Sequence, residues 1–194
     1  MNSNKGHRGT TAGTLRVIGG KYRSRLIRVP ARPGLRPTPD RVRETLFNWL
    51  GQSLEGLACL DLFAGSGALG FEAASRGAAR VVLVEKDHAA VAELERNRAA
   101  LEAAQVSVIR GDAAAFLEGE RGQFDVVFLD PPFRQNAVPA ILEMLPPRLN
   151  ADARVYVESN APVEVARPWS ELKRAKAGQV SYQLLQWNAN GEQP

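Results

Sequence analysis

Asp130-Pro131-Pro132-Phe133 follows the strongest predicted strand of the chain, Val126-Val127-Phe128-Leu129, and sets a carboxylate, a proline-held backbone and an aromatic face within four residues. Proline at 132 has no N–H and keeps Pro131 extended, which aims the local carbonyls outward. A carboxylate and a carbonyl are two acceptors, and two acceptors suit the two protons of an NH₂ group. Accepting both turns the nitrogen lone pair towards an electrophilic carbon and stabilises the positive charge that grows on the attacking nitrogen. Phe133 offers a face for a flat base to stack on, worth roughly 1–3 kcal/mol. Asp130, Pro131 and Phe133 are therefore the candidate catalytic residues, with Asp130 orienting the amine and taking up its proton. A paired or stacked target base must be flipped to reach them.

A second constellation belongs to a cofactor. Asp61-Leu62-Phe63-Ala64-Gly65-Ser66-Gly67 leaves a predicted strand and enters a predicted helix, so that bare backbone and free helix N–H groups face a ligand. Glu85 ends the next strand eighteen residues after Gly67, where an acid accepts from the ribose hydroxyls of an adenosine-containing cofactor. Asp112, after the third strand, is placed to accept from an adenine amino group, or simply to cap a helix. Asp61 either organises the loop or meets a cofactor ammonium. Gly65 to Gly70 also fits the dinucleotide pattern, so the loop alone leaves a nicotinamide oxidoreductase open. The tetrad separates the two: hydride transfer has no use for Asp130 to Phe133, whereas direct methyl transfer from S-adenosylmethionine to an amine does. The expected cofactor set is Asp61, Phe63, Gly65, Ser66, Gly67, Glu85, Asp112 and Asp130. Cys59, the single cysteine, falls inside a predicted strand, and His7 and His88 lie outside the tetrad. Neither a covalent intermediate nor a metal is expected.

The elements that must position these groups alternate. Strands are predicted at 58–62, 80–85, 106–110, 124–130 and 154–158, and helices at 68–76, 89–103, 113–117 and 137–145. Apolar strands separated by helices imply a parallel sheet covered on both faces with right-handed crossovers, an α/β fold. The tail, 172–175 and 180–187 around Gly178, reads as a closing antiparallel hairpin. Ahead of the sheet, 15–18 and 25–29 read as a small hairpin joined around Gly19-Gly20, and Thr38-Pro39-Asp40 opens a helix. The expected division is a disordered basic tail over 1–13, a hairpin and loop over 14–37 placed to contact nucleic acid, and a cofactor-binding domain over 38–194.

Charge is unevenly spread. Residues 1–43 hold eleven Lys or Arg against Asp40 alone, while the rest of the 194-residue chain is net acidic. A basic arm on an acidic body is the footprint of a protein that grips phosphates. No run is long and apolar enough for a membrane span or a secretory leader, and a lone cysteine suits a reducing compartment; the expected location is the cytoplasm.

On Arg16 to Lys21, Arg36-Pro37-Thr38 with Arg41 to Asn48, the loop Asp61 to Gly67, Asp130 to Phe133 and Gly178-Gln179-Val180, the chain resembles the bacterial 16S ribosomal RNA guanine-N2 methyltransferases, over roughly Leu15 to Trp187. The resemblance implies a Rossmann-like seven-strand methyltransferase sheet, S-adenosylmethionine at the glycine loop, Glu85 and Asp112, and Arg36 and Thr38 against the cofactor's methionine end. It implies RNA contacts in the basic arm, taken as Arg16, Lys21, Arg23, Arg25, Arg28, Arg36, Arg41 and Arg43. The substrate so implied is 16S rRNA within a small-subunit particle or assembly intermediate, and the enzyme is expected to be a monomer. An adenine-N6 or protein-glutamine methyltransferase shares the tetrad, since each methylates a planar NH₂.

Overall fold

The computed structural model describes residues 13–30, 38–132 and 137–189. Residues 1–12, Arg36 and Phe133, and the expectations that fall on them, lie outside this set. Strands β1 (Gly13–Arg16) and β2 (Leu26–Val29) pair antiparallel. Then follow α1 (Asp40–Leu50), β3 (Ala58–Asp61), α2 (Ala68–Ser75), β4 (Arg80–Glu85), α3 (His88–Ala100) and β5 (Val106–Arg110). The chain continues with α4 (Ala113–Gly119), β6 (Phe124–Leu129), α5 (Val138–Met144), β7 (Leu149–Ser159), β8 (Trp169–Ala177) and β9 (Val180–Trp187).

The main sheet has seven strands in the order β5-β4-β3-β6-β7-β9-β8. Only β9 runs against its neighbours. The expected α/β sheet is present, and the closing antiparallel strand slots between β7 and β8 instead of forming the edge. Strand order reverses at β3, with β4 on one side and β6 on the other, and such a point opens a crevice at the carboxyl ends of the strands. One layer of apolar side chains joins α1, α2, α3 and the β1–β2 hairpin to one face; α4 and α5 cover the other.

Local sequence explains the boundaries. Pro39, at φ −58°, leads into α1, whose residues Val42, Arg43, Leu46, Phe47 and Leu50 turn inward, and Gly51 ends it in the left-handed conformation at φ 96°. Asp87 caps α3 by accepting from Ala90 N at 2.9 Å. Strand β7 starts at Leu149, five residues before the expected Arg154, because its polar first half bulges: the register shifts between Phe124 and Val126 of β6, and Asp152 has φ 59°. Strand β8 reaches beyond the expected 172–175 at both ends, its polar residues suiting an outer edge.

One buried ion cluster ties the hairpin to the body. The Glu72 carboxylate, on α2 and fully buried, accepts from Ile18 N and Gly19 N at 2.8 Å each, from Arg76 Nε at 2.9 Å and from Arg43 Nη1 at 3.3 Å. Arg43 is itself fully buried, and its Nη2 donates to Asp40 Oδ1 at 2.7 Å and to the Arg16 carbonyl at 2.9 Å. Lys21 N and Tyr22 N donate to the Ser75 carbonyl and hydroxyl at 2.7 and 2.8 Å. Gly19-Gly20 is therefore not the hairpin's own turn; it docks on the end of α2, where a Cβ on Gly20 would stand 1.8 Å from the Ser75 carbonyl oxygen.

Breaking a buried ion pair by removing one partner strands the other charge, at a cost of about 3–5 kcal/mol. Glu72→Ala should lose about that much in urea unfolding, and amide exchange at Ile18 and Gly19 should accelerate more than at β3 or β4. Loss of stability without faster exchange at those amides would show that Glu72 does not hold the hairpin.

Candidate active site

Parallel pairing decides what gathers at the crevice. Asp61 ends β3, Glu85 ends β4, Asp130 follows β6 and Glu158 stands one residue from the end of β7. Leu129 pairs with Val157, which sets Asp130 beside Glu158 on neighbouring strands about 5 Å apart. Alternation along each strand puts Asp61, Asp130 and Glu158 on the face that α1 and α2 cover, the face of Cys59, Phe128 and Tyr156.

The glycine loop is built from both ends of this edge. Gly65 N donates to Glu85 Oε2 at 2.9 Å, Asp87 N donates to Glu85 Oε1 at 2.8 Å, and Ala64 N donates to the Val84 carbonyl at 3.0 Å. Gly65 and Gly67 take φ of 51° and 79°, which side chains disfavour. A Cβ on Gly67 would meet Phe71 and Leu94 at 2.6–2.7 Å, and one on Gly70 would meet Leu83 at 2.1 Å, so these glycines also let α2 lie close on its neighbours. Asp61 accepts from the backbone N–H groups of Phe63 and Gly70, the latter in the first turn of α2. Asp112 caps α4 with bonds from Ala114 N at 3.0 Å and Ala115 N at 3.5 Å. Ser66 is buried and Phe63 half-buried in the same loop.

Burial makes three of the acids at this edge, Asp61, Asp130 and Glu158, costlier to ionise than free carboxyls. Burial, with Glu85 and Glu158 nearby, pushes the Asp61 carboxyl up to about 7 despite its two backbone donors. Burial first, then the charges of Glu158 and Asp61, raise Asp130 well above the usual carboxylate range, and a hydrogen bond from Thr38 opposes them. Glu158 is raised by burial, against bonds from Tyr156 and Thr38. The Tyr156 hydroxyl donates to Glu158 Oε1 at 2.9 Å, and its own proton is held more tightly by burial and by that carboxylate. Cys59 is buried and pushed up to about 12, which is unsuited to a nucleophile. Among the described residues, no group of three or more His, Cys, Asp or Glu is arranged to hold a metal ion.

The structure thus brings Thr38, Asp61, Gly65, Ser66, Gly67, Glu85 and Asp130 to one crevice, with Pro131 buried beside it. Of the basic residues expected to meet RNA, Arg16, Lys21, Arg23, Arg25, Arg28 and Arg41 are exposed. Arg43 is a correction: it has no exposed surface and is spent on Glu72, Asp40 and the Arg16 carbonyl, so it offers nothing to a phosphate. Sequence reasoning missed Glu158 and Tyr156. Their only signal was an acid at the end of the strand that follows the tetrad, two residues beyond a tyrosine.

Comparison with known proteins places this chain in a family. The model described as Conserved hypothetical protein 95 matches residues 15–186. Ribosomal RNA small subunit methyltransferase D of Escherichia coli strain K12 is 45% identical over 186 residues, 93% of this chain and 94% of that protein. The protein of the same name from Haemophilus influenzae is 42% identical over 182 residues, 90% of this chain and 94% of that protein. The solved structure of Escherichia coli yhhF superposes with a TM-score of 0.84 at 44% identity, covering 92% of this chain and all of that one, 100%. Precorrin-6y C5,15-methyltransferase of Geobacter metallireducens GS-15 shares the fold at 17% identity and a TM-score of 0.63, covering 82% of this chain and 94% of that one.

An acid whose folded value lies above its unfolded one stabilises the fold while protonated and loses that contribution as pH rises through the folded value. For Asp61 the window runs from about 4 to about 7. The ligand-free protein should lose stability across that range, by at most about 4 kcal/mol from this group. Asp61→Asn should flatten the slope in thermal unfolding followed at successive pH values. An unchanged slope would show that Asp61 is ionised throughout.

Proposed function

The chain belongs to the Conserved hypothetical protein 95 family, and on that premise we propose that it is an S-adenosylmethionine-dependent methyltransferase acting on the N2 amine of one guanine in 16S ribosomal RNA. The observation that carries the chemistry is Asp130, seated beside Pro131 at the carboxyl edge of β6, next to the glycine loop. The target class is supported by relatives named as small-subunit ribosomal RNA methyltransferases and by the six exposed cations from Arg16 to Arg41. The enzyme works in the cytoplasm, as a monomer, on a small-subunit particle or assembly intermediate. No helix among the described residues is long and apolar enough to cross a membrane.

The residues present fit such a cofactor. Asp61 and Glu158, both buried, and the half-buried Asp130 share one edge, where burial and neighbouring carboxylates raise the cost of their charge. A ligand with sulfonium and ammonium charges offsets that cost. When bound, S-adenosylmethionine supplies an electrophilic methyl group. Glu85 stands where the ribose belongs, and the loop Asp61–Gly67 presents backbone at the start of α2. Asp130 and the adjacent backbone carbonyl accept from the guanine amine, whose lone pair is delocalised and barely basic, and turn that lone pair to the methyl carbon. Asp130 then takes the proton that nitrogen sheds. Arg16, Lys21, Arg23, Arg25, Arg28 and Arg41 hold the phosphates around the target.

Small-subunit particles from cells lacking this gene, incubated with methyl-labelled S-adenosylmethionine and the purified protein, should yield label in N2-methylguanosine after nuclease digestion. Label in N6-methyladenosine would overturn the choice of base, and label in protein alone would overturn RNA. Asp130→Ala should lower kcat by about 10²–10³-fold or more, the scale of losing a group that stabilises transition-state charge. Its cofactor Kd should rise far less than kcat falls, measured by calorimetry, and a loss of activity carried wholly by cofactor binding would refute the role given to Asp130.

A further inference from the structure

Glu158 stands beside Asp130 on the same face of the sheet, and no step of the methyl transfer described so far uses it. Glu158 is buried while Asp130 is only partly so. Thr38, buried just ahead of α1, lies near enough to both carboxyls for its hydroxyl to favour their ionised forms, and the Tyr156 hydroxyl donates to Glu158 Oε1 at 2.9 Å. A threonine hydroxyl has one proton to donate and can accept in return. Placed between two carboxyls, it is satisfied on both sides when one of them carries a proton and the other does not.

We propose that Glu158 is the positioning residue that makes Asp130 a proton acceptor, acting across the Thr38 hydroxyl that joins the two carboxyls. This inference rests on the methyl-transfer reading and adds to it a source for the basicity of Asp130. As the amine nitrogen bonds to the methyl carbon, the carbon–sulfur bond breaks with its electron pair left on sulfur, and nitrogen must release one proton. An isolated surface aspartate is a poor base near neutrality, because a proton acceptor works best when its own affinity for protons matches the working pH. A second carboxylate on the neighbouring strand supplies what is missing: the arriving proton relieves the repulsion between two like charges. Protonated Asp130 can then donate to Thr38 Oγ while Thr38 donates to Glu158, so that the proton is spread over the pair until product leaves.

The groups that face Asp130 are consistent with this. Among the described residues, Asp61 faces it from β3, with Glu85 beyond on β4; Glu158 and Tyr156 face it from β7, with Tyr182 behind on β9; Thr38 comes from the approach to α1. Arg43, the buried cation of α1, is committed to Glu72 and Asp40. The described neighbours that shift Asp130 are thus two acids, Glu158 and Asp61, opposed by one hydroxyl, and Glu158 acts more strongly than Asp61.

Two nearly isosteric variants separate the idea from a merely structural role, because they are expected to move the acid limb of kcat/KM in opposite directions. Glu158→Gln removes the like charge, so the limb should fall by one pH unit or more and kcat should drop about tenfold, with cofactor Kd within a few-fold. Thr38→Val removes the hydroxyl that stabilises both carboxylates, so the limb should rise. The apparent values belong to the pair, so the Asp130 carboxyl carbon should also be followed directly by ¹³C NMR in the ligand-free protein. Its midpoint should move down in Glu158→Gln and up in Thr38→Val. Coincident pH profiles and titrations for parent and Glu158→Gln, or shifts of the same sign in both variants, would overturn the proposal. If the parent transfers no methyl group, the reading of the reaction fails, and the titration still decides whether Glu158 governs Asp130.

Discussion

Everything at the functional edge follows from parallel strand pairing. A parallel ladder forces the carboxyl ends of its strands to one side, and the register fixes which residues stand level: Asp61 with Phe128, Phe128 with Tyr156, Leu129 with Val157. Four acids that are scattered over 98 positions of sequence, from Asp61 to Glu158, thereby reach one crevice. Alternation along the strands then sorts them by face. No local propensity favours such a gathering, and burial of carboxyls opposes it. The sheet can hold them because its apolar layers supply the stability, and because backbone N–H groups, Thr38 and Tyr156 occupy the acids' lone pairs.

Much of this arrangement is legible in the amino-acid sequence. Strands β3, β4 and β6 are visible because central parallel strands are buried on both faces and read as unbroken apolar runs. The glycine loop and the tetrad are visible because their chemistry is contiguous in sequence. What stays hidden lacks either property. The first half of β7 is polar and bulged, and β8 is a half-exposed edge, so neither shows a clean period. Glu158 is one acid among many until the register sets it beside Asp130. Arg43 fails in the other direction: counted with ten other cations of residues 1–43 it looks like a phosphate ligand, and only its inward place on α1 opposite Glu72 shows otherwise.

Glu72 does for the basic arm what the register does for the acids. A hairpin of two four-residue strands cannot hold itself in water. Its backbone is bound instead to one buried carboxylate and to the end of α2, the helix whose start carries the glycine loop. Asn97 of α3 adds a second anchor, accepting from Arg28 N and donating to the Arg28 carbonyl at 2.8 Å each. The cations of the hairpin are thus carried on the same two helices that pack against β3, β4 and β5, so that, in the reading proposed, RNA held by them stands in a fixed relation to the carboxyl edge of the sheet.

The division of charge that results is one that composition alone conceals, since the chain as a whole is only slightly basic. In the reading proposed, a polyanion is gathered by the exposed cations at a rim, while the carboxyl edge of the sheet is acidic. Those signs would work against each other if the substrate's phosphates entered the crevice. They agree if only a neutral base enters and the phosphates stay at the rim, because the acidic floor then meets the cationic methyl donor and the positive charge that develops on the amine. The same acidity repels a phosphate that strays inward. Electrostatic segregation of this kind therefore selects for an extruded base and against the backbone that carries it, with no contact to the base sequence required.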